Sequence, residues 1–243
     1  MEQTTGAAVG ASALDVIVEQ IRDEFETKNG VRDAALQRSR TLIRHCANAI
    51  RATHREDFEE ARALLDVAAQ AALEMVADLV DYPDLYHAGY TQDALKEYVE
   101  AQMVYAFATD AALPAPVDLG VEPAAYLKGL AEAASELRRH TLDLIRENRL
   151  ERAERMMSIM DDVYDQLITV DFPDAITGGL RRTTDMLRGV VQRTRGDLTT
   201  AIRQEMMREA LREFQAQVGL SGSANDSQPL QEAFEDEELG DAS

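Results

Sequence analysis

Tryptophan is absent from this chain of 243 residues, and aromatic residues of all kinds make up only 5%. Cysteine occurs once, at Cys46, which excludes an intrachain disulfide framework and fits a reducing cytoplasm. No apolar run approaches the length of a membrane span. The opening stretch "MEQTTGAAVGASALDV" lacks the basic-then-apolar order of a signal peptide, so a soluble cytoplasmic protein is expected. No alternation typical of strands and no hairpin signal occurs, nor a Walker loop, G-x-G-x-x-G, H-E-x-x-H or nucleophile elbow. None of His45, His54, His87 or His140 has a glutamate three residues before it, which excludes the Glu-x-x-His pattern of di-iron bundles. Lysine is nearly missing as well: Lys28, Lys96 and Lys128 are the only three, and every other basic residue is arginine.

What is present is helix-forming and acidic. Hydrophobic residues make up 45% of the chain, enough for a core, and Ala, Leu, Arg and Glu are abundant. The formal net charge is -20. Such an excess keeps a protein soluble while the compact state repels itself, a balance that fits the salt-rich cytoplasm of a halophilic archaeon. It also opposes nonspecific nucleic-acid binding over the whole surface, though not through a local basic groove.

Apolar spacing places the helices. Ser12 is the expected cap of a first helix carrying Leu14, Ile17, Val18, Ile21 and Phe25, with a break or kink at "KNG", residues 28–30. Further segments follow to about residue 51, from Asp57 to Val80, from Thr91, from Pro123, over 151–169 and over 180–217. The expected fold is all-α: one bundle of about seven helices over residues 12–218. Residues 1–11 are expected to be disordered, as is the tail 219–243, which has seven acids and no basic residue.

Two constellations can carry chemistry. In "LKEYVEAQMVYAFA" (95–108), Asp93, Glu97 and Glu100 fall at i, i+4 and i+7, on one helix face, just before a segment that is apolar on nearly all sides. On the next helix Glu132 and Glu136 are spaced i, i+4. Two helices each offering two carboxylates can gather Mg²⁺ or Mn²⁺, which take oxygen ligands. The plainer reading is solvated helix faces, with Lys128 and Arg139 as ion-pair partners of Glu132 and Glu136. The second constellation is arginine: Arg38, Arg40 and Arg44 in "LQRSRTLIRH", and Arg181, Arg182 and Arg188 at the start of the last helix. Guanidinium forks suit phosphate, although pairing with the acidic excess is the simpler role for most of them. Cys46, in "RHCANAI", reads as a buried core thiol.

Four segments, in order, resemble the translin and translin-associated factor X superfamily in its archaeal branch. "RDAALQRSRTLIRHCANAIRATHR" is similar to the family's early arginine-rich helix, and "LYHAGYTQDALKEYVEAQMVYAF" to the factor X segment around E-Y-V-E-A. "PAAYLKGLAEAASELRR" resembles D-Y-L-x-G-x-x-D-L-T-G-E-L-x-R, and "RMMSIMDDVYDQLITVDFPDAITGGLRRTTDMLRGVVQRTRGDLT" resembles the C-terminal pair of helices. Together they cover most of residues 31–200. The resemblance implies an all-helical protomer in a hollow homo-oligomeric shell of about eight subunits, holding single-stranded or short duplex RNA, or single-stranded DNA. It implies a Mg²⁺- or Mn²⁺-dependent endoribonuclease of the factor X type, with Glu97, Glu100 and Glu132 as catalytic metal ligands and Glu136 as a further ligand. It also implies Arg38, Arg40, Arg44, Arg181, Arg182 and Arg188 as contacts to RNA. Glu132 departs from the family aspartate by about one carbon–carbon bond, and "AEAASEL" lacks the family's Thr-Gly. A noncatalytic translin-like binding and assembly protein is the alternative. An all-α pyrophosphatase with a Glu-x-x-Glu pair would need a later Glu-x-x-Asp, which "EAASE" does not supply.

Overall fold

The computed structural model describes residues 6–218, and among them there are only helices. The long ones are α1 (Gly6–His54), α2 (Phe58–Ala77), α4 (Gly89–Thr109), α6 (Pro123–Arg146), α7 (Leu150–Leu167) and α9 (Leu180–Val218). Single turns α3 (Pro83–Tyr86), α5 (Pro116–Leu119) and α8 (Asp174–Thr177) punctuate the connections. None of the described helices is long and apolar enough to cross a membrane. Of the residues expected to be disordered, 1–5 and 219–243 lie outside the described residues, while 6–11 belong to α1.

Local chemistry sets the boundaries. The Asp57 side chain accepts from the Glu60 amide and caps α2, with Glu59 and Glu60 adding negative charge to its first turn. Pro83, Pro116 and Pro123 each open a helix, where a missing N–H costs nothing. Asp110 ends α4 in the left-handed region at φ 57°.

Two expectations need correction. The expected break at residues 28–30 is absent, and α1 is continuous from Gly6, so Ser12 lies inside it rather than capping it. One glycine costs a helix only about 1 kcal/mol and breaks no hydrogen bond. Lys28 also pairs with Asp84 of α3 at 2.7 Å, tying the suspected hinge to the next layer. The first two expected helices are therefore one, and six long helices stand where about seven were expected.

The chain divides into two compact units, Met1–Thr199 and Thr200–Ser243. In the first, α1 packs on α2 and α4, α4 on α6, and α6 on α7. Leu42, Leu65, Met75, Leu95, Met103, Leu137, Leu144, Met156 and Met160 fill this core with at most 1% exposure each. The first part of α9 buries Leu180, Leu187, Val191 and Leu198, and Arg138 of α6 ties to it through Thr194 (3.1 Å) and Asp197 (2.8 Å). By contrast Leu14, Ile17, Val18, Ile21 and Phe25 of α1 are exposed, although they recur at helical spacing. In the second unit, described over 200–218, Met207, Leu211, Phe214 and Val218 form a similar exposed row.

Candidate metal centre

The middle helix of the core positions the site. Helix α4 buries residues on every side, including Leu95, Tyr98, Val99, Ala101, Met103 and Val104, so its acids emerge inside the packing rather than on an open face. Its neighbour α6 approaches unusually closely. A Cβ built on Gly129 would stand 2.6 Å from the Lys96 carbonyl oxygen and 2.7 Å from Val99 Cβ. Only glycine permits that contact, and Ala125 and Ala133, one turn to either side, keep the same face small. Glu132 projects one turn beyond this crossing.

The consequence is convergence. Glu97, Glu100 and Glu132 each offer a carboxylate oxygen, and the three oxygens lie within 4.8 Å of one another; among the described residues no other group of acids, histidines or cysteines gathers this way. All three are half-buried. Asp93, on the same helix face, is exposed and outside the group. Lys96 stands in the cluster: its Nζ donates to Glu97 Oε1 at 2.8 Å and contacts Glu132 Oε2.

Electrostatics records the crowding. Burial pushes the Glu100 carboxyl up to about 8, helped by the charges of Glu97, Glu132 and Glu136 and opposed by Lys96. Burial alone would lower the Lys96 ammonium, but its hydrogen bonds to Glu132 and Glu97 hold it up at about 12. The cluster thus holds one internal cation for three acids, and its ion pairs go to Glu97 and Glu132, with Glu100 feeling it only at longer range.

Helix α1 forms the back wall. Cys46 is fully buried, as expected, and its thiol is pushed up by burial and then by the charges of Glu97 and Glu100. Two turns on, His54 Nε2 lies 2.7 Å from Glu136 Oε1, and the His140 ring follows with centroids 6.1 Å apart. Burial, then His54, lowers the His140 imidazole below its ordinary value. His54 Nδ1 and His140 Nε2 are buried without a hydrogen-bond partner among the described residues. Glu136 is therefore held by a histidine beside the three-acid group rather than within it. The expected ion pairs of Glu132 and Glu136 with Lys128 and Arg139 give way to pairs with Lys96 and His54.

Lys96 and His54 were missed from sequence for different reasons. Lys96 adjoins Glu97, and neighbours along a helix do not face each other; the usable signal was its i, i+4 step to Glu100, and it also crosses to α6. His54 lies 82 residues from Glu136, with no local pattern to link them. Gly129 carried a usable signal, since Ala125, Gly129 and Ala133 repeat a small residue every four.

The chain resembles known proteins over most of its length. It is 32% identical over 196 residues to an uncharacterized protein of Methanocaldococcus jannaschii, covering 80% of this chain and 86% of that one. It superposes on the crystal structure of AfC3PO, and on that protein's complex with duplex RNA, with a TM-score of 0.72 and 32% identity, covering 78% of this chain and 98% of the other. The chain belongs to the translin superfamily. Apo-NeC3PO shares the fold at a TM-score of 0.69 with 19% identity, covering 82% of this chain and all of the other. No protein-family model matches.

On this translin-superfamily chain the arginines stand apart from one another in character. Arg38 already binds Glu74 at 3.2 Å and Asp78 at 2.7 Å, both from α2. Arg40, Arg44, Arg181, Arg182 and Arg188 are exposed.

Proposed function

We propose that this protein binds RNA and is a metal-dependent endoribonuclease of the factor X type, cutting RNA within a homo-oligomer. The observation that carries the reading is the convergence of Glu97, Glu100 and Glu132 across the α4–α6 crossing. Its support is the relationship to AfC3PO, which was solved with duplex RNA.

The donor set fits Mg²⁺ or Mn²⁺: all ligating atoms are carboxylate oxygens, and the cluster already draws a lysine ammonium into itself. When bound, such an ion lowers the pKa of water and neutralises charge on a phosphodiester. Glu97, Glu100 and Glu132 would hold it, and Glu136 would flank it, oriented by His54. Burial against Cys46 and the apolar flank of α4 keeps bulk water from the back of the site, strengthening each charge there. Arg40, Arg44, Arg181, Arg182 and Arg188 would engage the backbone of single-stranded or short duplex RNA, or of single-stranded DNA. Arg38 would join them only by leaving Glu74 and Asp78.

Assembly is supported by the exposed apolar rows of α1 and of residues 207–218, which a second copy of the chain would cover, in a shell of about eight subunits. The charge of -20 supports a haloarchaeal source.

A labelled single-stranded RNA incubated with Mn²⁺ or Mg²⁺ in high salt tests the reading. Wild type should cut it, while Glu97→Ala and Glu100→Ala should still bind it but cut at least 100-fold more slowly, roughly the loss of one charge-stabilising group. Binding without cutting in wild type would favour the noncatalytic translin-like assembly protein. The observation on that side is Lys96, which already neutralises part of the cluster.

A further inference from the structure

Lys96 engages carboxylates that a metal would need. Its Nζ is bonded to Glu97 Oε1 at 2.8 Å and to Glu132 Oε2, so it spans two of the three acids from two different helices. Its side chain is only 12% exposed, which marks it as built into the cluster rather than draped over it. A divalent ion of this class binds carboxylate oxygens at about 2.0–2.1 Å. A lone pair given to the ion cannot also accept from the ammonium, and two cations held on the same carboxylates repel.

We propose that Lys96 is a resident counter-cation of this site, displaced when a divalent metal enters, so that metal loading is an exchange of one cation for another. This rests on the reading of Glu97, Glu100 and Glu132 as metal ligands. The exchange gives the site a regulation of its own. Without metal, the ammonium ties α4 to α6 and offsets the repulsion between Glu97 and Glu132. With metal, the tie is released and the freed ammonium is available at the mouth of the site. Metal affinity is thereby set lower than three carboxylates alone would give.

The residue type suits the task. Lysine is a compact charge on a flexible four-carbon stem, whereas arginine presents a fork that locks onto carboxylates in pairs. Apart from Lys28 and Lys128 the chain uses arginine for every other basic residue, yet it has lysine here.

Three lysines also make the test clean. The full chain is stripped with a chelator and titrated with Mn²⁺ by calorimetry as wild type and as Lys96→Gln. In parallel, wild type is reductively methylated with and without Mn²⁺, and each lysine is followed by mass spectrometry. Lys96→Gln should bind Mn²⁺ at least tenfold more tightly. In wild type, Mn²⁺ should speed methylation of Lys96 at least fivefold and leave Lys28 and Lys128 unchanged. Mn²⁺ binding to wild type with Lys96 still protected, or binding to a folded Lys96→Gln that is no tighter, overturns the exchange while leaving the metal site standing. No Mn²⁺ binding to either chain removes the metal site itself and the exchange with it. Should Lys96→Gln fail to fold, the methylation of wild type decides alone.

Discussion

Two places among the described residues gather acids around a basic residue where helices meet, and they differ in balance. On the α1–α2 face, Arg38 reaches Glu74 and Asp78, and all three side chains are 39–52% exposed. Across α4 and α6, Lys96 reaches Glu97 and Glu132, it is 12% exposed, and a third acid, Glu100, lies in the same group. Water screens the first set, so its charges cost little and contribute little. Partial burial weakens that screening in the second, where Glu97 is 30% and Glu132 35% exposed, so its surplus negative charge favours a proton or another cation. An acidic surface is a matter of solubility, whereas an acidic interior is an appetite for cations.

Glu100 should break the comparison most sharply. Its carboxyl is raised from 4.5 to about 8 in the folded chain, so the native state holds a proton that the unfolded state has lost. The contribution of Glu100 to stability is therefore full below about 4.5, falls as pH rises through the window to about 8, and levels off above it. Glu100→Gln should remove that slope and be the more stable chain at pH 9, by an amount on the order of a few kcal/mol. Urea unfolding in chelator at pH 5 and pH 9 measures it. Equal slopes for the two chains would mean that the interior cluster is as well solvated as the surface one.

Gly129 tests the geometry that brings the acids together. By helix propensity alone, Gly129→Ala should stabilise α6 by about 1 kcal/mol. The new Cβ would meet the Lys96 carbonyl at 2.6 Å, a backbone atom with no rotamer to yield, so the helices must separate. Overpacking of this kind typically costs about 1–3 kcal/mol. The net effect should be destabilisation of up to about 2 kcal/mol, together with weaker Mn²⁺ binding as Glu132 moves away from Glu97 and Glu100. A stabilised variant would show that the crossing is loose.

These residues also show how far the sequence can be read. Glu97 and Glu100 share a helix, so their alignment follows from a three-residue step. The helical fold was equally legible, because the apolar repeats of α2, α4, α6 and α7 need no knowledge of partners. Bringing Glu132 to them required a crossing between helices, which the two acid pairs left open and the family resemblance implied, and whose physical cause is a glycine among alanines. The misread break near Gly30 has a plain reason: glycine weakens a helix without interrupting it, and the Lys28–Asp84 pair that holds this stretch is nonlocal. Lys96 was passed over because its adjacency to Glu97 argues against a shared face, although it stands four residues before Glu100 and its long side chain also crosses to α6.

Arg38 sharpens the other side of the comparison, and its effect should be small. Arg38→Ala removes pairs to Glu74 and Asp78, but all three groups keep access to water. Exposed pairs of this kind contribute roughly 0.2–1 kcal/mol each, less at high salt. The expected loss is therefore about 0.5–1 kcal/mol at low salt, shrinking as KCl is added, by thermal or urea unfolding. Glu74 and Asp78 would then lie near each other without the Arg38 cation, with water to screen their repulsion. A loss of several kcal/mol that salt did not reduce would place Arg38 in the buried class, and exposure would no longer be what separates a solvated acidic face from a cation-seeking one.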